Sequence, residues 1–211
     1  LSFERRNKGG VTIMHGTSRP RKRPTFLIVG AVALALGLAS CASLAPQPQS
    51  FDLHAGQARA RAPAGRIYVA TPSAIPPLDG DLIVVRAADG SLSRVPGARW
   101  VDNLPALLQS RLAQTFENAG LARQVSLSAE GAEFSLAIEI RRFDIDTASR
   151  MAHVELTARL ARAGGQIVAA KVFSATEPVG DIAGAASAHA LDGALGIVLA
   201  QIVGWAVVAA R

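Results

Sequence analysis

Phe134-Ser135-Leu136-Ala137-Ile138-Glu139-Ile140-Arg141-Arg142-Phe143 alternates apolar and polar residues with a period of two up to Arg141. Successive side chains of a strand point to opposite faces, so this stretch predicts a strand with one buried and one polar face. Ala152, Val154, Leu156, Ala158 and Leu160 repeat the period, and Gly164-Gly165 supplies a turn into a third run over residues 166–174. A long antiparallel hairpin with one face outward is the expected result. Upstream lie shorter strand signals at residues 51–53, 66–70, 81–86 and 91–95, and another follows at 125–128, each bounded by Gly, Pro or polar residues. Between them Leu104, Leu108, Leu112 and Phe116 recur every four residues with Leu107 alongside, which predicts a helix with one face packed on a sheet. Asp102-Asn103 offers its cap, Pro105 fits its first turn, and Gly120 stops it. Arg111, Gln114, Glu117 and Asn118 fall mostly on its other face. A last helix is predicted over residues 182–210, weakened by Gly184, Gly193, Gly196 and Gly204. Together these signals give an α/β (α+β) domain, an antiparallel or mixed sheet covered on one face by two main helices.

The final helix is nearly all apolar from residue 194 to 210, with Gln201 the one clear polar interruption. A stretch of about 17 residues sits at the lower limit for crossing a bilayer. Only Arg211 follows it, so a core helix is expected rather than a span. A lipid-contacting or partner-contacting face on that helix is compatible with this reading.

The chain carries 22 Lys and Arg against 16 Asp and Glu, a net charge of +6. Position removes the significance of that excess. Seven bases and one acid precede Cys41, which leaves 15 of each sign from residue 41 onward. Nucleic-acid binders concentrate Lys and Arg on the folded surface that meets phosphate, so nucleic acid is not an expected partner.

The leader reads as an export signal in three parts: Arg19 to Arg23 are mostly basic, residues 26–38 are apolar, and Ala39-Ser40 are small. The apolar run is too short to span and fits the 7 to 15 residues, roughly, of a signal core. Leu38-Ala39-Ser40-Cys41 resembles the lipobox of bacterial lipoproteins. In such proteins the cysteine thiol is alkylated with diacylglycerol, the preceding peptide is cut, and the new amino group is acylated. Cys41 is the one cysteine of the sequence, so no disulfide forms within it. Residues 1–13 are expected to be an upstream extension rather than native protein, because Lys8-Gly9-Gly10 back-translates to a purine-rich stretch resembling a ribosome-binding site just before Met14. The expected organisation is therefore an extension at 1–13, a signal peptide at 14–40, a lipidated flexible tether at 41–50 rich in Pro, Gln, Ser and Ala, and one domain at 51–211.

Motifs of catalysis are missing from the sequence. It has no phosphate-binding Gly-rich loop ending in Gly-Lys, no Gly-x-Ser-x-Gly elbow, no paired Cys motif and no His-Glu-x-x-His pair. His54, His153 and His189 are scattered without metal-ligand spacing, and His153 falls on the outer face of its strand. Asp144 and Asp146 lie on the same side of an extended segment and read as a solvated turn at the strand end. Ser91, Ser110 and Ser187 lie on no nucleophile turn. No catalytic residue, metal or cofactor is expected beyond the lipid on Cys41.

The segment Arg99-Trp100-Val101-Asp102-Asn103-Leu104-Pro105-Ala106-Leu107-Leu108-Gln109-Ser110-Arg111-Leu112 resembles the ABC-type transport auxiliary lipoproteins, the PqiC-like lipoproteins. Phe51-Asp52-Leu53 matches that family's extended strand after the tether, and Phe143 and the Ala-rich final helix with Trp205 extend the similarity. Trp100, Leu104, Leu108 and Leu112 carry the motif and are expected to be structural, with Trp100 anchoring the core at a strand-to-helix junction. The resemblance implies a non-enzymatic accessory part of a lipid transport system. It implies as partners an Mce-type periplasmic protein and its ABC transporter complex, and a membrane reached through the lipid anchor. A homo-oligomer is compatible with the sequence. Ala42-Ser43 lacks the aspartate that commonly retains such proteins in the inner membrane, so the periplasmic leaflet of the outer membrane is the expected location. The competing expectation is an assembly lipoprotein of another envelope machine, for outer-membrane protein insertion, polysaccharide export or cell-wall synthesis.

Overall fold

The computed structural model describes residues 47–211. The upstream extension, the signal segment with Leu38, Ala39, Ser40 and Cys41, and the first part of the tether lie outside the described residues. In chain order the elements are β1 (Gln49–Phe51), β2 (Ile67–Val69), β3 (Leu82–Arg86), β4 (Leu92–Trp100), α1 (Leu104–Asn118), β5 (Val125–Ser126), β6 (Phe134–Asp146), β7 (Met151–Arg162), β8 (Ile167–Pro178) and α2 (Gly184–Ala209). They form one mixed sheet of eight strands with both helices on one face, the predicted fold class.

β6 organises the sheet. One of its edges is paired along nearly its whole length with β7, antiparallel from Phe134↔Arg162 to Asp146↔Met151, and β7 pairs in turn with β8. Its other edge is shared: β2 runs parallel to Phe134–Leu136, Ser73 bridges to Glu139, and β3 runs parallel to Asp144–Asp146. β4 joins β3 antiparallel, and β1 closes that end parallel to β4. The alternation that predicts the hairpin decides which side meets the helices: Phe134, Leu136, Ile138 and Ile140 are buried, as are Ala152, Val154, Leu156, Ala158 and Leu160. A register irregularity between Ile140 and Arg142 restarts the alternation, so that Phe143 and Ile145 are buried as well and β6 runs three residues past its predicted end. Gly164 and Gly165 form the predicted turn with φ of 99° and 89°, values that only glycine adopts freely.

α1 starts one residue after the predicted cap, but the Asn103 side chain makes no capping hydrogen bond. The Leu104 amide instead donates to the Gly80 carbonyl at 2.9 Å, and Asp102 turns its carboxylate to the Asn103 amide at 2.7 Å. The chain between β1 and β2 is not a free loop. Its Gly56 packs against α2 at Gly196 and Leu199, and its Ala64 amide donates to the Ala210 carbonyl at 3.0 Å, so this strap follows α2 toward its C-terminal end. Gly56 is needed there, because a Cβ would stand 2.7 Å from the Gly196 carbonyl oxygen. α2 buries Leu191, Leu195, Val198, Leu199, Ile202, Val203 and Ala206 over β7 and β8, which is the core role expected of it.

Candidate functional site

The two stretches that carry the family resemblance meet at one side chain. Arg111, in the third turn of α1, directs Nη2 to both carboxylate oxygens of Asp52 at 2.7 Å, donates from Nε to the Leu53 carbonyl, and donates from Nη1 to Gln114 at 3.0 Å. Its side chain is 16% exposed although helical periodicity places it on the polar face. The Arg111 hydrogen bond holds the Asp52 carboxyl below the ordinary carboxylate range, against partial burial that acts the other way. Thr115, one turn on, donates to the Arg111 carbonyl at 2.6 Å and accepts from the Gly56 amide at 2.9 Å, so α1 grips the strap at two points. Below this clamp Trp100, Leu104, Leu108 and Leu112 are all at most 1% exposed. Trp100 meets Phe143 edge to face at 5.8 Å and 75°, and its buried Nε1 finds no acceptor. Phe173 and Trp205 repeat the arrangement between β8 and α2 at 5.5 Å and 67°. Such pairs favour the positive edge of one ring over the negative face of the other.

The sheet face away from the helices is lined by charge pairs. Arg141 reaches Glu155 at 3.0 Å and Arg159 reaches Glu139 at 2.9 Å across the β6–β7 ladder. Asp144 corrects the expectation of a solvated turn. It is wholly buried, with Arg86 at 3.3 Å and Arg142 at 2.7 Å. The irregularity before Arg142 lets β6 continue beside β3, and this places Asp144 beneath the guanidinium of Arg86. The carboxylate in turn raises the Arg142 guanidinium above its ordinary value. Asp146 does hold the turn, accepting from the Ala148 and Ser149 amides at 3.0 Å each, and the Ser149 amide in particular lowers its carboxyl. His153 sits opposite Asp144 in the register, its Nε2 buried without a partner, while His54 Nδ1 lies 2.7 Å from Asp192 and His189 is exposed. Among the described residues no three His, Cys, Asp or Glu side chains are grouped to hold a metal ion. A hollow of about 320 Å³ lies beside the start of β1, lined by Pro48, Asp81, Arg94, Gly97 and Arg99 among others, and holds no nucleophile paired with a base.

Charge is also segregated along the domain. Arg86, Arg99, Arg111, Arg141, Arg142 and Arg159 each engage a carboxylate. Arg59, Arg61, Arg66, Arg94, Arg123, Arg150, Arg162 and Arg211 are exposed and take part in no ion pair among the described residues. All but Arg94, in β4, and Arg150, in the β6–β7 turn, gather at the end where β2 and β6 begin, β7 stops and α2 finishes, or on the strap leading to it. No residue type or spacing announces this cluster, because strap, strand starts and helix end converge there only in the fold.

This eight-stranded mixed sheet with two helices on one face defines a class of mixed α/β domain, and its fold is similar to that in the crystal structure of a Xanthomonas campestris protein. That protein is 28% identical, with a TM-score of 0.64 over 77% of this chain and 93% of its own. A second crystal structure, of an uncharacterized protein, shares the fold at 14% identity and a TM-score of 0.58 over 71% of this chain and 97% of its own. The chain belongs to the ABC-type transport auxiliary lipoprotein component family, whose model matches residues 51–203. An uncharacterized protein of Bradyrhizobium diazoefficiens is 32% identical over 113 residues, which are 52% of this chain and 31% of that protein. The chain spans about a third of the length of this curated relative.

Proposed function

We propose that the domain is a non-enzymatic accessory component of an ABC/Mce-type lipid transport system, anchored by diacylglycerol and an N-linked acyl chain on Cys41 and working by binding a protein partner. The observation that carries this is the family match over residues 51–203, within which the paired segments Phe51-Asp52-Leu53 and Trp100 to Leu112 are joined by Arg111. The lipobox Leu38-Ala39-Ser40-Cys41 supports anchoring, and several acyl chains hold a domain at a bilayer without a spanning helix. Ala42-Ser43 favours the periplasmic leaflet of the outer membrane. Anchoring raises the effective concentration of the domain for a partner at the same membrane, so a modest interface suffices.

The test is genetic and biochemical together. Loss of the gene should produce an envelope-lipid or detergent-sensitivity defect, and the lipidated protein should co-purify with an Mce-type component. Recovery of only outer-membrane protein-insertion, polymer-export or wall-synthesis components contradicts this reading, as does hydrolysis of an ester or glycan at enzymatic rates by the purified protein.

A further inference from the structure

α2 is 26 residues long, and its outward stripe is Ala185, His189, Gly193, Ile197, Gln201 and Val208. None of these carries a formal charge at neutral pH. Ile197 and Val208 are 42% and 59% exposed, and the one carboxylate of the helix, Asp192, is engaged by His54. A helix that faces water ordinarily turns charged residues outward, and one that is apolar all round is ordinarily enclosed. This one is enclosed on a single side.

Charge and chain length say what covers the other. Six of the eight exposed arginines without an ion pair lie around the C-terminal end of α2 and on the strap beside it, with Glu130 and Glu133 as the exposed acids nearby. The described chain enters at the opposite end, where Gln49 pairs with Ala98 and where the added Cβ of Gly184 would meet Ala98 and the Phe51 ring. Seven residues, 42–48, separate Cys41 from β1, and the eight steps from Cys41 to Gln49 reach at most about 29 Å when extended. α2 is itself about 39 Å long. A domain upright on its arginine end would hold β1 farther from the bilayer than the tether reaches, whereas one lying along α2 brings both ends down together.

We propose that the outward face of α2, with Arg59, Arg61 and Arg211 at its flank and end, lies on the headgroup surface of an anionic bilayer, the one that holds the Cys41 lipid. The inference rests on that anchoring. An uncharged helix face bordered by arginines matches the interface between acyl chains and negatively charged headgroups. Lipid at one end and arginines at the other fix the tilt of the domain, so the charge-paired outer face of the sheet is turned toward the aqueous side.

Lipidation consumes the one native thiol, so single cysteines introduced at Ile197, Val208 or Ala137 of the full-length lipoprotein can each carry an environment-sensitive fluorophore. Ala137 is the control, exposed on the sheet face away from the helices. In vesicles of equal parts phosphatidylcholine and phosphatidylglycerol, the Ile197 and Val208 labels should be quenched severalfold more by headgroup-level spin-labelled lipid than the Ala137 label. The excess should fall to the control level in Arg59→Glu/Arg61→Glu/Arg211→Glu, and in the unaltered lipoprotein at high salt should that variant fail to fold. Equal quenching at all three sites, or none on α2 while the protein floats with the vesicles, overturns the proposal. Concentration-dependent shielding of the α2 labels in lipid-free detergent assigns the face to a second copy and overturns it too. The mass of the N-terminal peptide, and the absence of a second label on Cys41, separate a failed anchor from a failed docking face.

Discussion

The two helices rest on the same side of one sheet and present opposite outer surfaces. α1 buries Leu104, Leu107, Leu108, Leu112 and Phe116; its other side is polar, with Glu117 and Asn118 exposed and the half-buried Gln109, Arg111 and Gln114 hydrogen-bonded, Gln109 to the Val69 carbonyl and Arg111 to Asp52 and Gln114. α2 buries a comparable aliphatic face and turns outward Ala, Gly, Ile and Val with one Gln and one His. Burial against the sheet explains the inner faces of both. It explains the outer face of α1 alone; the uncharged outer face of α2 is what the proposed bilayer contact accounts for. The strap between them serves both helices, held to α1 by Arg111 and Thr115 and laid against α2 at Gly196.

The comparison is broken most severely at the head of α1. Trp100→Ala should cost about 3–5 kcal/mol in denaturant unfolding, the range for removing a buried aromatic. Leu199→Ala, wholly buried in α2, should cost about 2–5 kcal/mol by the same cavity mechanism, which would show that both inner faces do equivalent work. A loss below 1 kcal/mol, roughly, at Leu199 would mean that α2 is not packed as described. Gly56→Ala forces a Cβ against the Gly196 carbonyl and should cost about 1–3 kcal/mol, with faster amide exchange along the strap.

Much of this was legible in the chain. Period two gave β6 and β7, period four gave α1, and the glycine pair gave the turn that leads into β8, because these signals are local. Asp144 and Arg111 were not legible. A carboxylate two residues from another at a strand end looks solvated until β3 is laid beside it, and Arg111 looks like a surface residue until Asp52, 59 residues away, is brought to it. An aspartate following a short strand and an arginine bordering an apolar helix face were the available signal, which neither residue gives alone. The arginine end was hidden for a further reason. A balanced charge from residue 41 onward conceals its segregation, since sums over a chain carry no position.

Smaller effects sharpen the contrast. The Asp52 carboxyl is depressed in the folded state, so its contribution is fully present above the ordinary aspartate value, about 3.9, and is lost as pH falls through the lower folded value. Half-exposed Asp52 limits the effect to about 1 kcal/mol or less, and Asp52→Asn should remove that part of the acid sensitivity of unfolding. Unchanged acid sensitivity would place the stabilisation elsewhere. Glu117→Lys on α1 and Val208→Lys on α2 should each change stability by no more than about 0.5 kcal/mol, since both sites are exposed. A large loss at Val208 alone would mean that the outer face of α2 is already covered within the folded chain.

The proposed contact between α2 and a bilayer depends on the lipid on Cys41. Metabolic labelling with palmitate, combined with the intact mass of the N-terminal peptide, tests this most directly. The wild type should incorporate label and begin at a triacylated Cys41, while Cys41→Ala should incorporate none and persist as an uncleaved precursor. Equal labelling of the two, or a wild-type protein that retains residues 14–40 without lipid, would contradict the account.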